Sequence, residues 1–100
     1  MIISGGYNVY PKEIEGFIDE MDGVAESAVT GIPHPDFGET VLAIVVPKAG
    51  AKLNAQQMID ALKGQIANFK VPKRIEILND LPRNAMGKVQ KNVLRQQFIV

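Results

Sequence analysis

The chain has 100 residues, 46% of them apolar, and its eleven acidic residues balance eleven basic ones. That length forms one domain and buries roughly two thirds of its unfolded surface, enough for a modest core without disulfides. With no cysteine, thiol redox chemistry, zinc–thiolate sites and cysteine nucleophiles are excluded.

The first stretch, MIISGGYNVYP, reads as a strand, a Gly-Gly turn and a second short extended piece. Pro11 opens a helix at the position where its missing N–H costs nothing. Ile14, Phe17, Ile18 and Met21 form its apolar stripe, and Glu13 and Glu15 fall in the first turn, where the dipole favours acids. Gly23 is expected to end it. Residues 24–32 and 40–47 read as strands, joined by the proline-rich loop PHPDFGE. Residues 41–46 are continuously apolar, as expected of a central strand covered on both faces, and are the longest apolar run, too short to cross a bilayer. Asn54 is a candidate N-cap with Gln57 three residues on. Ala55, Met58, Ile59, Leu62, Ile66 and Phe69 predict one helix that Pro72 stops. Residues 74–78 read as a third strand. The cationic loop LPRNAMGKVQKN follows, and a terminal helix spans about Lys91 to Phe98. This order predicts an α+β domain, a small mixed sheet with packed helices and an N-terminal β-hairpin.

Charge is unevenly spread. Residues 1–62 hold nine acidic and three basic residues, and residues 63–100 hold two and eight. Most such cations are solvated surface, but some can face phosphate or carboxylate. No nucleic-acid-binding signature accompanies them, and no aromatic interleaving. Gly87-Lys88 is followed by Val89, so this is no Walker loop, and no G-x-G-x-x-G occurs. His34, the single histidine, lacks a second ligand type nearby, so it reads as a surface residue and no metal site is expected. No signal peptide or lipidation motif is visible, and a soluble cytoplasmic protein, not bound to membrane, is expected.

Two longer stretches carry more. MIISGGYNVYPKEIE and LPRNAMGKVQKN, with PDFGE and FKVPKRIEILNDLPRNAMGK between and overlapping them, resemble the C-terminal signature motifs of the acyl-adenylate-forming enzymes. This superfamily comprises acyl-CoA synthetases, nonribosomal adenylation domains and luciferases. The resemblance covers essentially the whole chain and looks most like an acyl-CoA ligase of the malonyl-CoA synthetase type. It implies that residues 1–100 are the small C-terminal domain of a larger enzyme, beginning just after the hinge and inactive alone. The implied partners are the enzyme's own large N-terminal domain and a small carboxylate substrate. ATP and coenzyme A are implied as co-substrates, with Mg2+ accompanying ATP outside this domain.

Residue by residue, Lys88 matches the lysine that meets substrate carboxylate and ATP α-phosphate during adenylation. A compact ammonium can offset both anions, and Gly87 would give the loop freedom. For Lys91 an ordinary solvated lysine is the preferred reading. Gly5 and Gly6 match the turn that lines the pantetheine tunnel during thioester formation, and an ordinary hairpin turn is compatible with that. Phe37, Phe69 and Lys73 match the residues that meet the nucleotide end of coenzyme A, although Phe69 also fits the core stripe. Val71 stands where some relatives carry arginine; Lys70 or Arg74 could substitute. The resemblance also implies Lys88 as a lysine-acetylation site recognised by a protein acetyltransferase. Alternatives are a carrier-protein-loading adenylation domain and a small basic nucleic-acid-binding module.

Overall fold

The computed structural model describes residues 1–36 and 38–98. The elements are β1 (Ile2–Ser4), β2 (Tyr7–Val9), α1 (Pro11–Asp19), β3 (Val24–His34), β4 (Gly38–Pro47), α2 (Ala55–Lys63), a 3-10 turn at Asn68–Lys70, β5 (Arg74–Ile77) and α3 (Lys91–Phe98). The apolar run becomes the centre of β4. Strand β3 pairs antiparallel along one edge of β4, from Val24↔Pro47 to His34↔Gly38. The other edge is shared. β1 pairs antiparallel at Ser4↔Gly38, and β5 pairs parallel against Leu42 to Val45. β2 extends β1 outward. The sheet is therefore mixed, with an N-terminal hairpin at one side, as the sequence predicts.

Alternation along β4 feeds two cores. Val41, Ala43 and Val45 pack with Ile14 and Ile18 of α1 and Met58 and Leu62 of α2. Leu42, Ile44 and Val46 pack on the opposite face with Leu81 and with Leu94 of α3. That two-sided burial explains why this strand lacks the usual polar alternation. Leu94 is fully buried and is the one buried residue of α3. Leu94→Ala is expected to lower stability by about 2–5 kcal/mol, read as a fall in the urea midpoint at unchanged m-value.

Both longer helices end earlier than expected. α1 stops at Asp19, and Gly23, at φ +84°, shapes the turn into β3 instead. α2 is capped as expected, Asn54 Oδ1 accepting from Gln57 N at 2.9 Å. It closes at Gly64, whose N–H bonds back to the carbonyls of Ala61 and Leu62. Glycine inside a helix costs about 1 kcal/mol relative to alanine, so continuation is disfavoured there. Ile66 and Phe69 still pack against the core, reached through the turn rather than along the helix.

Glu15 is not a dipole-complementing acid, since of the two only Glu13 lies in the first turn. Its Oε2 accepts from Val29 N at 2.7 Å and lies 2.8 Å from Lys91 Nζ. The carboxylate thus covers a backbone donor on β3, an edge strand, and links α1 to the start of α3.

Candidate functional site

Lys88 sits on a tight hairpin rather than a flexible loop. Arg83 and Val89 form a β-bridge. Asn84 N donates to Lys88 O at 3.0 Å, and Gly87 N donates to Asn84 O at 2.9 Å. The Asn84 side-chain Oδ1 accepts from the amides of Met86 and Lys88, at 2.9 and 3.1 Å. Gly87 has φ +80°. This is the three-residue hairpin loop that ends on a left-handed residue, where glycine is favoured. Gly87 therefore fixes the loop's shape instead of loosening it. Arg83 Nη1 donates to Gly87 O at 3.0 Å, and the same guanidinium pairs with Glu26 on β3. The backbone of Lys88 is held while its exposed ammonium has no partner among the described residues. An uncompensated cation on a fixed stretch of backbone is suited to stabilising developing anionic charge.

Gly5 and Gly6 both take positive φ, +57° and +85°, the pattern of a type I′ hairpin turn, and this alone accounts for two glycines. The turn borders a cleft of about 240 Å³ lined by Ser4, Gly5, Tyr7, Asn68, Phe69 and Lys73. Three sequence-predicted residues thus line one cleft, Gly5 from the N-terminal hairpin and Phe69 and Lys73 from the segment between α2 and β5. Phe69 is half-buried: it borders the core and also stacks on Tyr7, with ring centroids 4.6 Å apart. Core packing and a role in the cleft therefore hold together for Phe69. Tyr7 was not singled out from sequence; its register opposite Ser4 beside the turn is the signal that points it there. Phe37 lies outside the described residues.

The two features stand at opposite ends of β4. Ser4 pairs with Gly38 at its start, and Glu26, which holds the Lys88 hairpin, pairs with Val46 near its end. Those anchor points are roughly 26 Å apart along an extended strand.

Other sequence-based readings change. Lys91 is not a free solvated lysine, because it is paired with Glu15. Val71 is buried in the core. Neither proposed substitute is free: Lys70 Nζ lies 2.8 Å from Glu13, and Arg74 pairs with Glu76 at 3.0 Å while covering the Phe98 ring. The His34 Nδ1 accepts from Asp36 N at 3.1 Å. Among the described residues, no group of three or more His, Cys, Asp or Glu is placed to hold a metal, and no helix is long and apolar enough to cross a membrane.

A family model, the AMP-binding enzyme C-terminal domain, matches residues 13–88. The chain belongs to this family. Among solved structures, this AMP-binding C-terminal domain superposes on ATP-bound MatB from Rhodopseudomonas palustris with a TM-score of 0.94 and 57% identity, covering 98% of this chain and 20% of that one. This neighbour carries the likeness to malonyl-CoA synthetase read from the sequence. A Mycobacterium tuberculosis fatty acyl CoA synthetase matches with a TM-score of 0.90 and 44% identity, over 98% of this chain and 19% of that one. The indoleacetate–CoA ligase of Aromatoleum aromaticum is 48% identical over 96 residues, which are 96% of this chain and 19% of that protein. The domain therefore spans about a fifth of the length of these relatives, and the names of the last two carry different acids.

Proposed function

We propose that residues 1–100 form the C-terminal domain of an AMP-forming acyl-CoA synthetase, with the malonyl-CoA synthetase type as the leading subclass. In the first half-reaction a carboxylate oxygen attacks the α-phosphorus of ATP. The bond to the β-phosphate oxygen breaks, giving acyl-AMP and pyrophosphate. Lys88 offsets the charge shared by carboxylate and α-phosphate. In the second, the coenzyme A thiolate attacks the acyl carbonyl and AMP leaves, with the Gly5-Gly6 turn beside the pantetheine arm. Phe37, Phe69 and Lys73 meet the nucleotide end. Mg2+ accompanies ATP and is held by the large domain, with which this one forms the complete site. The enzyme works in the cytoplasm, and acetylation of Lys88 by a protein acetyltransferase would switch off adenylation by removing the ammonium.

The observation that carries this reading is the shared cleft. Gly5, from the N-terminal hairpin, lines one hollow with Phe69 and Lys73, from the segment between α2 and β5, as a common ligand requires. The roughly 26 Å along β4 between its anchor and that of the Lys88 hairpin suits a domain that turns between half-reactions. The cleft favours free coenzyme A over a carrier protein, whose phosphopantetheine lacks a nucleotide. A nucleic-acid surface is disfavoured, because five basic residues of the C-terminal part are already held by carboxylates.

Lys73→Ala in the full-length enzyme is expected to raise the KM for coenzyme A roughly tenfold, the scale of one charge-assisted contact. The KM for ATP should not move. Steady-state kinetics with each substrate varied in turn decides it, and an unaltered coenzyme A dependence would remove the cleft from the reaction.

A further inference from the structure

Strand β3 carries a register shift at its start. Val24 pairs with Pro47 and Glu26 with Val46, so Ala25 is an extra residue, a bulge in an otherwise regular ladder. Its consequence is a change of face. The Ser27 hydroxyl donates to Asp19 of α1 at 2.6 Å, and Val29 lies in the core that α1 covers, so both face that helix. Ala28 lies in the opposite core, with Leu81 and Leu94. Strict alternation from Ala28 would put Glu26 and Val24 on that same face. Val24 instead joins the α1 core. The bulge lets Val24 stay buried there while Glu26 falls on the face of Leu81 and Leu94, the two residues that flank the Lys88 hairpin.

On that face Glu26 meets Arg83. The guanidinium gives one arm to Glu26 and the other, Nη1, to Gly87 O at 3.0 Å. Gly87 immediately precedes Lys88, so carboxylate, guanidinium and loop carbonyl form one chain of bonds from the sheet to the lysine. Just past the hairpin, Lys91 is paired with Glu15 at 2.8 Å, and Glu15 also accepts from Val29 N of β3. Lys88 therefore stands between two points tied to the same strand. Stability is a weak reason for the Glu26–Arg83 pair. Its side chains are 35% and 37% exposed, and solvent leaves such a pair little net worth. A planar donor with two arms supplies direction instead.

We propose that Glu26 and Arg83 are positioning residues for adenylation, and that the bulge at Ala25 is the device that turns Glu26 toward the hairpin. Together they set the point from which the Lys88 side chain starts. This rests on the reading of Lys88 above. Both residues act through the Gly87 carbonyl and Lys88, with no contact of their own to substrate.

The test uses the full-length enzyme, with pyrophosphate exchange for adenylation and coenzyme A transfer from synthetic acyl-AMP for the second step. Arg83→Gln, which loses both arms, is expected to slow adenylation about thirtyfold, less than the roughly 10²-fold cost of a 1 Å misplacement, because Asn84 still closes the hairpin. Glu26→Gln leaves the bond to Gly87 in place and should slow adenylation about tenfold. Arg83→Lys keeps the charge but not the fork, and should fall between Arg83→Gln and wild type. The Glu26→Gln/Arg83→Gln double variant should be no slower than Arg83→Gln, since both changes cut one chain. In a Lys88→Ala background neither change should slow adenylation further. Transfer should stay within about twofold of wild type throughout. Glu76→Gln breaks a pair of similar exposure that joins two residues of β5, and should leave adenylation unchanged. Adenylation within about twofold of wild type in Arg83→Gln overturns the proposal, as does equal slowing of both steps or full additivity with Lys88→Ala. If Lys88→Ala itself adenylates at the wild-type rate, the reading of Lys88 has failed instead. The brace is then judged by hydrogen exchange on the full-length enzyme. Faster exchange of amides 84–88 in Glu26→Gln than in Glu76→Gln sustains it, and equal exchange ends it.

Discussion

Lys88→Ala in the full-length enzyme is expected to slow acyl-adenylate formation roughly 10²–10³-fold, the usual cost of one preorganised contact to developing charge. The structure sharpens the reason. The backbone of Lys88 is fixed by Asn84, Gly87 and the β-bridge, so the side chain starts from a held anchor and only its own stem must be ordered. No carboxylate competes for it among the described residues. Folding should be spared, because an exposed, unpaired lysine contributes little to stability. Thioester formation from synthetic acyl-AMP should change far less, since the hairpin lies at the end of the domain away from the glycine turn. Acetyl-Lys88 should behave like the alanine variant, as both lack the charge. Lys91→Ala is a poor control because it breaks the pair with Glu15; the exposed Lys52, whose side chain makes no ion pair or hydrogen bond among the described residues, serves better. Pyrophosphate exchange measured beside coenzyme A transfer is decisive. Equal slowing of both steps would remove Lys88 from adenylation.

The elements most legible in the sequence are those whose cause is local. The Gly5-Gly6 turn forms because only a residue tolerant of positive φ suits both positions, and Asn54 caps α2 through a bond three residues away. Residues 41–46 announce a doubly covered strand by composition alone. The ends of α1 and α2 were not legible. Helical spacing marks Ile66 and Phe69 as core, which they join, but a chain that breaks at Gly64 and re-enters through a 3-10 turn delivers the same residues. The Lys88 motif was visible as a pattern, yet its rigidity depends on Asn84 and on Arg83 reaching Glu26, 57 residues distant. The same applies to charge. A basic C-terminal segment looks like one surface until pairing separates Lys70, Arg74, Arg83, Lys91 and Arg95 from Lys63, Lys73 and Lys88. Tyr7 entered the cleft only through strand register.

Gly6→Leu should slow thioester formation by about 10²-fold, the scale expected when reacting groups are displaced by about 1 Å, while adenylation stays within a few-fold of wild type. Within the domain a Cβ at Gly6 meets nothing closer than 4 Å. Obstruction must therefore come from what the turn faces in the assembled enzyme, which makes the variant a probe of the tunnel. It also brings strain, because φ +85° costs a non-glycine residue about 1–3 kcal/mol. Gly50 supplies the control, being also at positive φ, +79°, with nothing within 4 Å of its Cβ, in the loop after β4. Gly50→Leu should carry comparable backbone strain and lose a similar amount of stability, yet transfer the acyl group at the wild-type rate. Gly6→Asn, which tolerates positive φ better than leucine, should fall between wild type and Gly6→Leu. The comparison uses urea unfolding for stability and coenzyme A transfer from pre-made acyl-AMP for the step itself. If Gly50→Leu slows transfer as much as Gly6→Leu, strain explains the loss and the turn has no place beside the thiol arm. If Gly6→Leu slows adenylation and transfer alike, the hairpin is needed for folding or docking of the domain rather than for passage of the thiol.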